Sequence, residues 1–176
     1  AGKAYDYVDV ADEIIVFEPT QRRFRVLDRS RGLVATVEFD EIKHLLKVAQ
    51  DETARHANVL ASAESLDAGR QLRFQLDPRF EETFSEADGL LTLKGDQLEY
   101  RARTVDSGRP GAAATYFDYA DWVCRLNYLL HPGPLLPEPR LALNASLRGK
   151  DRLPSEVELR LSSSPERHLR AEHEID

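Results

Sequence analysis

One cysteine, Cys124, and no methionine make up all the sulfur in this 176-residue chain. A lone thiol closes no intramolecular disulfide and falls short of the clustered Cys and His ligands of a structural zinc site, so neither a disulfide scaffold nor a metal-stapled fold is expected. Tryptophan is almost absent, with Trp122 alone. No apolar run approaches the roughly 20 residues needed to cross a bilayer. The longest, around Trp122 to Leu130, is broken by Arg125 and Asn127, and the chain is not expected to span a membrane. There is also no block of positive charge. Lys and Arg are scattered among carboxylates and the net charge is -7, which argues against nucleic acid as a partner, because phosphates are neutralised by clustered cations.

What is present is a hydrophobic fraction of 41%, enough for one well-packed core, so a single domain over 1–176 is the expectation. The chain opens at Ala1-Gly2 and holds no methionine, which reads as either a trimmed chain or a mature form from which a targeting segment has been removed. A periplasmic or secreted location is expected on that ground. A lone thiol suits the cytosol equally well.

The stretch Glu13 to Phe39 is the most informative part of the sequence. Ile14 to Phe17 is apolar on both faces, Pro19-Thr20-Gln21 supplies a turn, and Arg23 to Asp28 alternates with Phe24 and Val26 on one side. Arg31-Gly32 turns the chain into Leu33 to Phe39, where Leu33, Ala35, Val37 and Phe39 share a face. Arg22, Arg23 and Arg25 read as a solvated strand face rather than an anion site. Asp40 is placed as the N-cap of a helix that keeps apolar spacing to about Ser65.

In the second half Leu72, Phe74 and Leu76 alternate with polar residues and predict a strand ended by Pro78, followed by a polar connector around Glu81 to Asp88. Gly95-Asp96 between Leu90 to Lys94 and Gln97 to Thr104 is the strongest hairpin signal. Asp106 to Ala113 predicts a flexible loop. A largely buried helix is expected from Thr115, and a further one over Leu141 to Leu147 with Pro139 in its first turn. Glu156 to Leu161 and His168 to Ile175 close the chain as alternating strands. The fold class is thus α+β: a curved, mainly antiparallel sheet of seven or eight strands with about three helices on one face.

Catalytic signatures are lacking. No phosphate-binding glycine loop and no Gly-x-Ser-x-Gly elbow occurs. Ser162 to Ser164 reads as a turn. Cys124 lies mid-helix among bulky apolar residues, where burial keeps a thiol protonated. Asp40 with His44 and Glu52 with His56 sit at helical spacing, which surface pairing explains without a metal. Glu81-Glu82 and the tail carboxylates lack the apolar surroundings that would split two pKa values into acid and base. Asn144-Ala-Ser146 matches a glycosylation acceptor by pattern alone, within a predicted helix. His173 shares a face with Leu169, Ala171 and Ile175, and an enzyme reading would need it to converge with a carboxylate. No catalytic residue, cofactor or metal is assigned.

The block "IIVFEPTQRRFRVLD" resembles the strand-turn-strand of periplasmic lipoprotein-carrier and lipoprotein-sorting (LolA-like) proteins, and "LLTLKGDQLEYRA" with the closing strand pair is compatible with the same incomplete barrel. The resemblance implies a curved sheet whose concave face accepts an acyl chain. The expectation that follows is a non-enzymatic protein binding an apolar small molecule or lipid, lined by Phe24, Val26, Val37, Phe74, Tyr100, Leu159 and His173. The alternative is a structural or protein-interaction module whose core is filled by its own side chains.

Overall fold

The computed structural model describes residues 2–9, 11–62, 66–131, 133, 135–161 and 164–172. Its backbone divides into two compact units, residues 1–49 and 50–176, with the boundary inside a helix. The α+β class holds, with antiparallel strands throughout. The strands form a four-stranded and a five-stranded sheet in place of one longer sheet, and four α-helices are present among the described residues where three were expected. Alternation along a strand specifies its faces but not which edges meet across an intervening helix, and that is why one sheet was read where two form.

The first unit is a meander of β1 (Ala4–Val8), β2 (Glu13–Glu18), β3 (Arg23–Asp28) and β4 (Leu33–Glu38), paired in sequence order. Two of its turns have a local cause. Between β2 and β3, Pro19–Gln21 forms one 3-10 turn closed by Arg22 at φ 54, whose N–H donates to Pro19 O. Between β3 and β4 the Asp28 carboxylate accepts from Ser30 Oγ (2.7 Å), Arg31 N (2.8 Å) and Arg31 Nε (2.5 Å), and Gly32 takes φ 64. β1 was not foreseen. Its apolar side chains are outnumbered by exposed Tyr5 and Tyr7 and by Asp6, so it carries little alternation signal.

α1 (Phe39–Ser62) starts one residue before Asp40, which therefore lies in the first turn and not at the N-cap. There it accepts from Arg22 (2.7 Å) and suits the positive end of the helix dipole. Phe39 brings α1 onto one face of the meander: its ring stacks on Phe17 at 5.7 Å and tilts against Phe24 at 5.5 Å, and Phe17 meets Phe24 at 5.2 Å.

In the second unit, α2 (Leu66–Leu76) replaces the strand predicted over Leu72 to Leu76. Five residues fit a period of two and a period of 3.6 alike; the deciding signal lies upstream, where Leu66, Gly69, Leu72 and Leu76 follow helical spacing. Gly69 faces α1, and a Cβ on it would lie 3.2 Å from Ala57 O and 3.3 Å from Ala61 N. The connector predicted around Glu81 to Asp88 contains a further strand, β5 (Glu81–Ser85), an exposed edge too polar to read as one. It pairs with β6 (Leu90–Lys94), followed by β7 (Leu98–Asp106), β8 (Arg152–Leu161) and β9 (Ser164–Glu172) in that order. The Gly95 turn forms as expected, with Gly95 N donating to Leu98 O. The predicted loop shortens to residues 107–111 before α3 (Ala112–Leu130), and α4 (Glu138–Gly149) has buried Pro139 in its first turn.

Register places Leu91, Ala102 and Val157 in one row and Leu93, Tyr100 and Leu159 in the next. These form the core with Ala113 and Phe117 of α3 and Leu143 and Leu147 of α4. Between the two helices Asn144, fully buried, donates to Asp121 Oδ1 (2.8 Å), and Arg148 donates to Asp121 Oδ2 (2.8 Å). Asn144 is thus a helix-pinning residue, inaccessible to glycosylation.

Because the α1–α2 contact is too tight at Gly69 for a β-branched side chain to enter without displacing the α1 backbone, Gly69→Val is expected to destabilise the protein by about 1–3 kcal/mol in denaturant unfolding. An unchanged unfolding midpoint would show that the two helices do not meet through this glycine.

Candidate functional site

Of the seven residues expected to line a cavity, the six that the structure describes fall into different surroundings. Phe24, Val26 and Val37 belong to the first unit, and Phe24 is sealed at 0% exposure beneath Phe17 and Phe39. Phe74, Tyr100 and Leu159 belong to the second unit, where Tyr100 and Leu159 are core members and Phe74 packs edge-on against Phe80 at 5.3 Å. His173 lies outside the described residues. Burial pushes the Tyr100 phenol up to about 12 and the Cys124 thiol up to about 11. Cys124 is therefore protonated at neutral pH, with Sγ 3.9 Å from Pro137 O. His44, His56 and His131 are exposed, and no cluster of three metal-ligating side chains forms among the described residues.

Two clefts border α2. One, of about 960 Å³, is wide open to solvent along Leu66, Arg73 and Phe74, and its charges are largely matched, Arg70 bonding Asp67 and Arg79 bonding Asp77 (2.8 Å). The other holds about 140 Å³ between Phe74, Gln97, Leu98, Leu135 and Leu161. Among the described residues, Phe74 alone of the expected lining set borders either. Its ring occupies the space over Gly95, where any Cβ would collide with it.

A different arrangement lies on the face of the first sheet that Phe39 does not cover. Register aligns three rows across all the strands. Tyr7, Ile14, Leu27 and Val34 form an apolar row, and Tyr5, Val16, Arg25 and Thr36 the next. Tyr5, Tyr7 and Val34 are 58%, 64% and 58% exposed. The third row is charged and alternates in sign. Lys3 Nζ donates to Glu18 Oε1, Arg23 Nε donates to Glu18 Oε2 at 2.8 Å, and Arg23 stands opposite Glu38. Glu18 is 2% exposed, so its charge depends on these two cations, which hold its carboxyl at about 2, far below the usual 4.5. The row ends on exposed Glu38, which stands across from Arg23 but closes no salt bridge among the described residues.

Glu38 closes β4, and β4 is the edge of the sheet. Every residue of it except half-buried Val37 is exposed, on both faces. Leu33-Val-Ala-Thr-Val37 contains no Pro and no Lys, the residues that usually guard an edge. Sequence alternation identified the strand; what it could not identify was the charge row, because the four members come from four separate segments. Comparisons with protein-family models, with curated proteins and with solved structures found no match.

Glu18 and Asp28, the latter held at about 2 first by the Ser30 hydroxyl and then by Arg31, both titrate below their ordinary values of 4.5 and 3.8 in the folded chain. Their stabilisation is complete above those values and is lost as pH falls toward 2. Thermal stability followed from pH 6 to 2 is expected to fall across about 4.5 to 2, and Glu18→Gln to remove the upper part of that dependence. A parent midpoint that stays flat over the window would exclude the charge row as a stabilising element.

Proposed function

We propose that the protein is a non-enzymatic interaction module whose N-terminal sheet takes up an extended polypeptide strand along β4. The observation that carries this is the β4 edge: bare on both faces, unguarded, and ended by a carboxylate that completes a row of alternating charge. An added strand gains main-chain hydrogen bonds from the edge and specificity from alternate side chains. On the uncovered face it meets Val34, Thr36 and Glu38 in turn, so an antiparallel partner strand carries a cation opposite Glu38 and an apolar side chain opposite Val34.

The reading as an acyl-chain carrier draws on the resemblance described above and on Phe74. Its weakness is volume. Ligand pockets for molecules of drug size run to about 300–1,000 Å³ and bury most of the ligand surface, whereas the narrower cleft at Phe74 holds about 140 Å³ and the one of about 960 Å³ is too open to solvent to do so.

Selection of a random peptide display library on the purified protein is expected to enrich extended sequences with apolar residues at alternate positions and a Lys or Arg at one end of the run. Val34→Lys, at an exposed position, should weaken the selected peptides at least tenfold, about 1.4 kcal/mol, with no change in folding. Enrichment that is indifferent to Val34→Lys, or no enrichment at all, would defeat the proposal.

A further inference from the structure

We infer that the strand matched to the β4 edge is β1 of a second copy of this chain, giving a head-to-tail contact that continues the sheet. The inference rests on the strand-binding reading above and adds the identity of the occupant. β1 is the other edge of the same sheet. Because the strands alternate in direction from β1 to β4, a β1 laid beside β4 of a neighbour runs antiparallel to it without any reversal.

Side-chain chemistry selects one register. The charge row reads Lys3, Glu18, Arg23, Glu38, cation and anion by turns, so its continuation requires a cation beside Glu38. Lys3 of the second copy supplies it. With Lys3 opposite Glu38, Tyr5 falls opposite Thr36 and Tyr7 opposite Val34, all on the uncovered face. Ala4, Asp6 and Val8 then fall opposite Val37, Ala35 and Leu33 on the other. The two most exposed tyrosines thereby gain a strand neighbour. Lys3, 47% exposed, is left between two carboxylates.

Symmetric alternatives fail on the same chemistry. A two-fold pairing of β4 with itself keeps side chains on matching faces only when the paired residue numbers have an even sum, and Glu38 then meets Ser30, Gly32, Val34 or Thr36, none of them a cation. A two-fold pairing of β1 with itself can set Lys3 against Asp9 only by setting Asp6 against Asp6, a direct like-charge pair. Among the pairings open to β1 and β4, the head-to-tail contact alone satisfies the row. It is heterologous, so it repeats from copy to copy.

Sedimentation velocity on the full chain from micromolar to millimolar concentration tests this. The parent chain is expected to grow beyond a dimer with concentration. Val34→Lys blocks one edge and Tyr7→Lys the other, both at exposed sites, and each variant alone should stay monomeric. An equimolar mixture retains one intact contact and should stop at the dimer. Glu38→Lys should weaken self-association about tenfold. A parent chain that is monomeric throughout, or a Tyr7→Lys variant that dimerises alone through β4, would overturn the inference. Either result leaves the peptide selection above to be judged separately, since it reads occupancy of β4 by a strand of any origin.

Discussion

The first unit depends on a buried carboxylate. Removing the Glu18 charge from water is unfavourable unless cations compensate it, and the two that do so come from different parts of the chain, Lys3 ahead of β1 and Arg23 at the start of β3. Both reach Glu18 in only one register. A slip of one residue in either neighbouring strand would move the cation to the opposite face, since side chains alternate with a period of two. Burial of Glu18 therefore helps to fix β1, β2 and β3 relative to one another, alongside their apolar pattern. The tilted rings of Phe17, Phe24 and Phe39 fix the other face. The charged row and the aromatic cluster act on opposite sides of the same strands, and a register that satisfies one satisfies the other.

The second unit solves a related problem with a neutral amide. α3 and α4 pack on the apolar face of the five-stranded sheet, and at their contact Asn144 is buried with both ends of its amide engaged, one donating to Asp121 and the other accepting from Arg140 (3.2 Å). Arg148 completes the Asp121 carboxylate and lays its guanidinium 5.6 Å from the Phe117 ring centre. Such a network tolerates one helix rotation, because turning α4 by a single residue would strand the Asn144 amide in the interior at a cost of about 1–3 kcal/mol.

Where the sequence was legible, the signal was local. Pro19-Thr20-Gln21, Arg31-Gly32 and Gly95-Asp96 mark turns by backbone chemistry alone, and the strands beside them follow. Pro139 announced the start of α4 for the same reason. α2 was misread because the window from Leu72 to Leu76 satisfies two periods, and its helical partner residues, Leu66 and Gly69, lie outside that window. β5 was missed because an edge strand with Glu81 and Glu82 has no buried face to advertise. The candidate site was the least legible part. Lys3, Glu18, Arg23 and Glu38 have no shared spacing, and their relation exists only once three hairpins have formed.

The exposure of β4 gains its meaning from comparison with β5, an edge of the other sheet. β5 opens with two carboxylates, and one of them, Glu82, is held by Ser146 Oγ (2.5 Å) and Lys150 (2.6 Å), so that edge is crowded by charge and tied to α4. Charge of this kind blocks an incoming strand, which must desolvate it. β4 has nothing comparable along Leu33 to Val37, and its one charged residue stands at the end, where it selects a partner instead of repelling all of them. An unguarded β-branched edge invites aggregation unless a specific strand occupies it faster or more tightly than a non-specific one. A carboxylate placed at the end of an otherwise satisfied row of alternating charge supplies that specificity, because a wrong strand leaves Glu38 against an apolar group or another anion. The feature that makes β4 hazardous and the feature that makes it selective are thus parts of one edge.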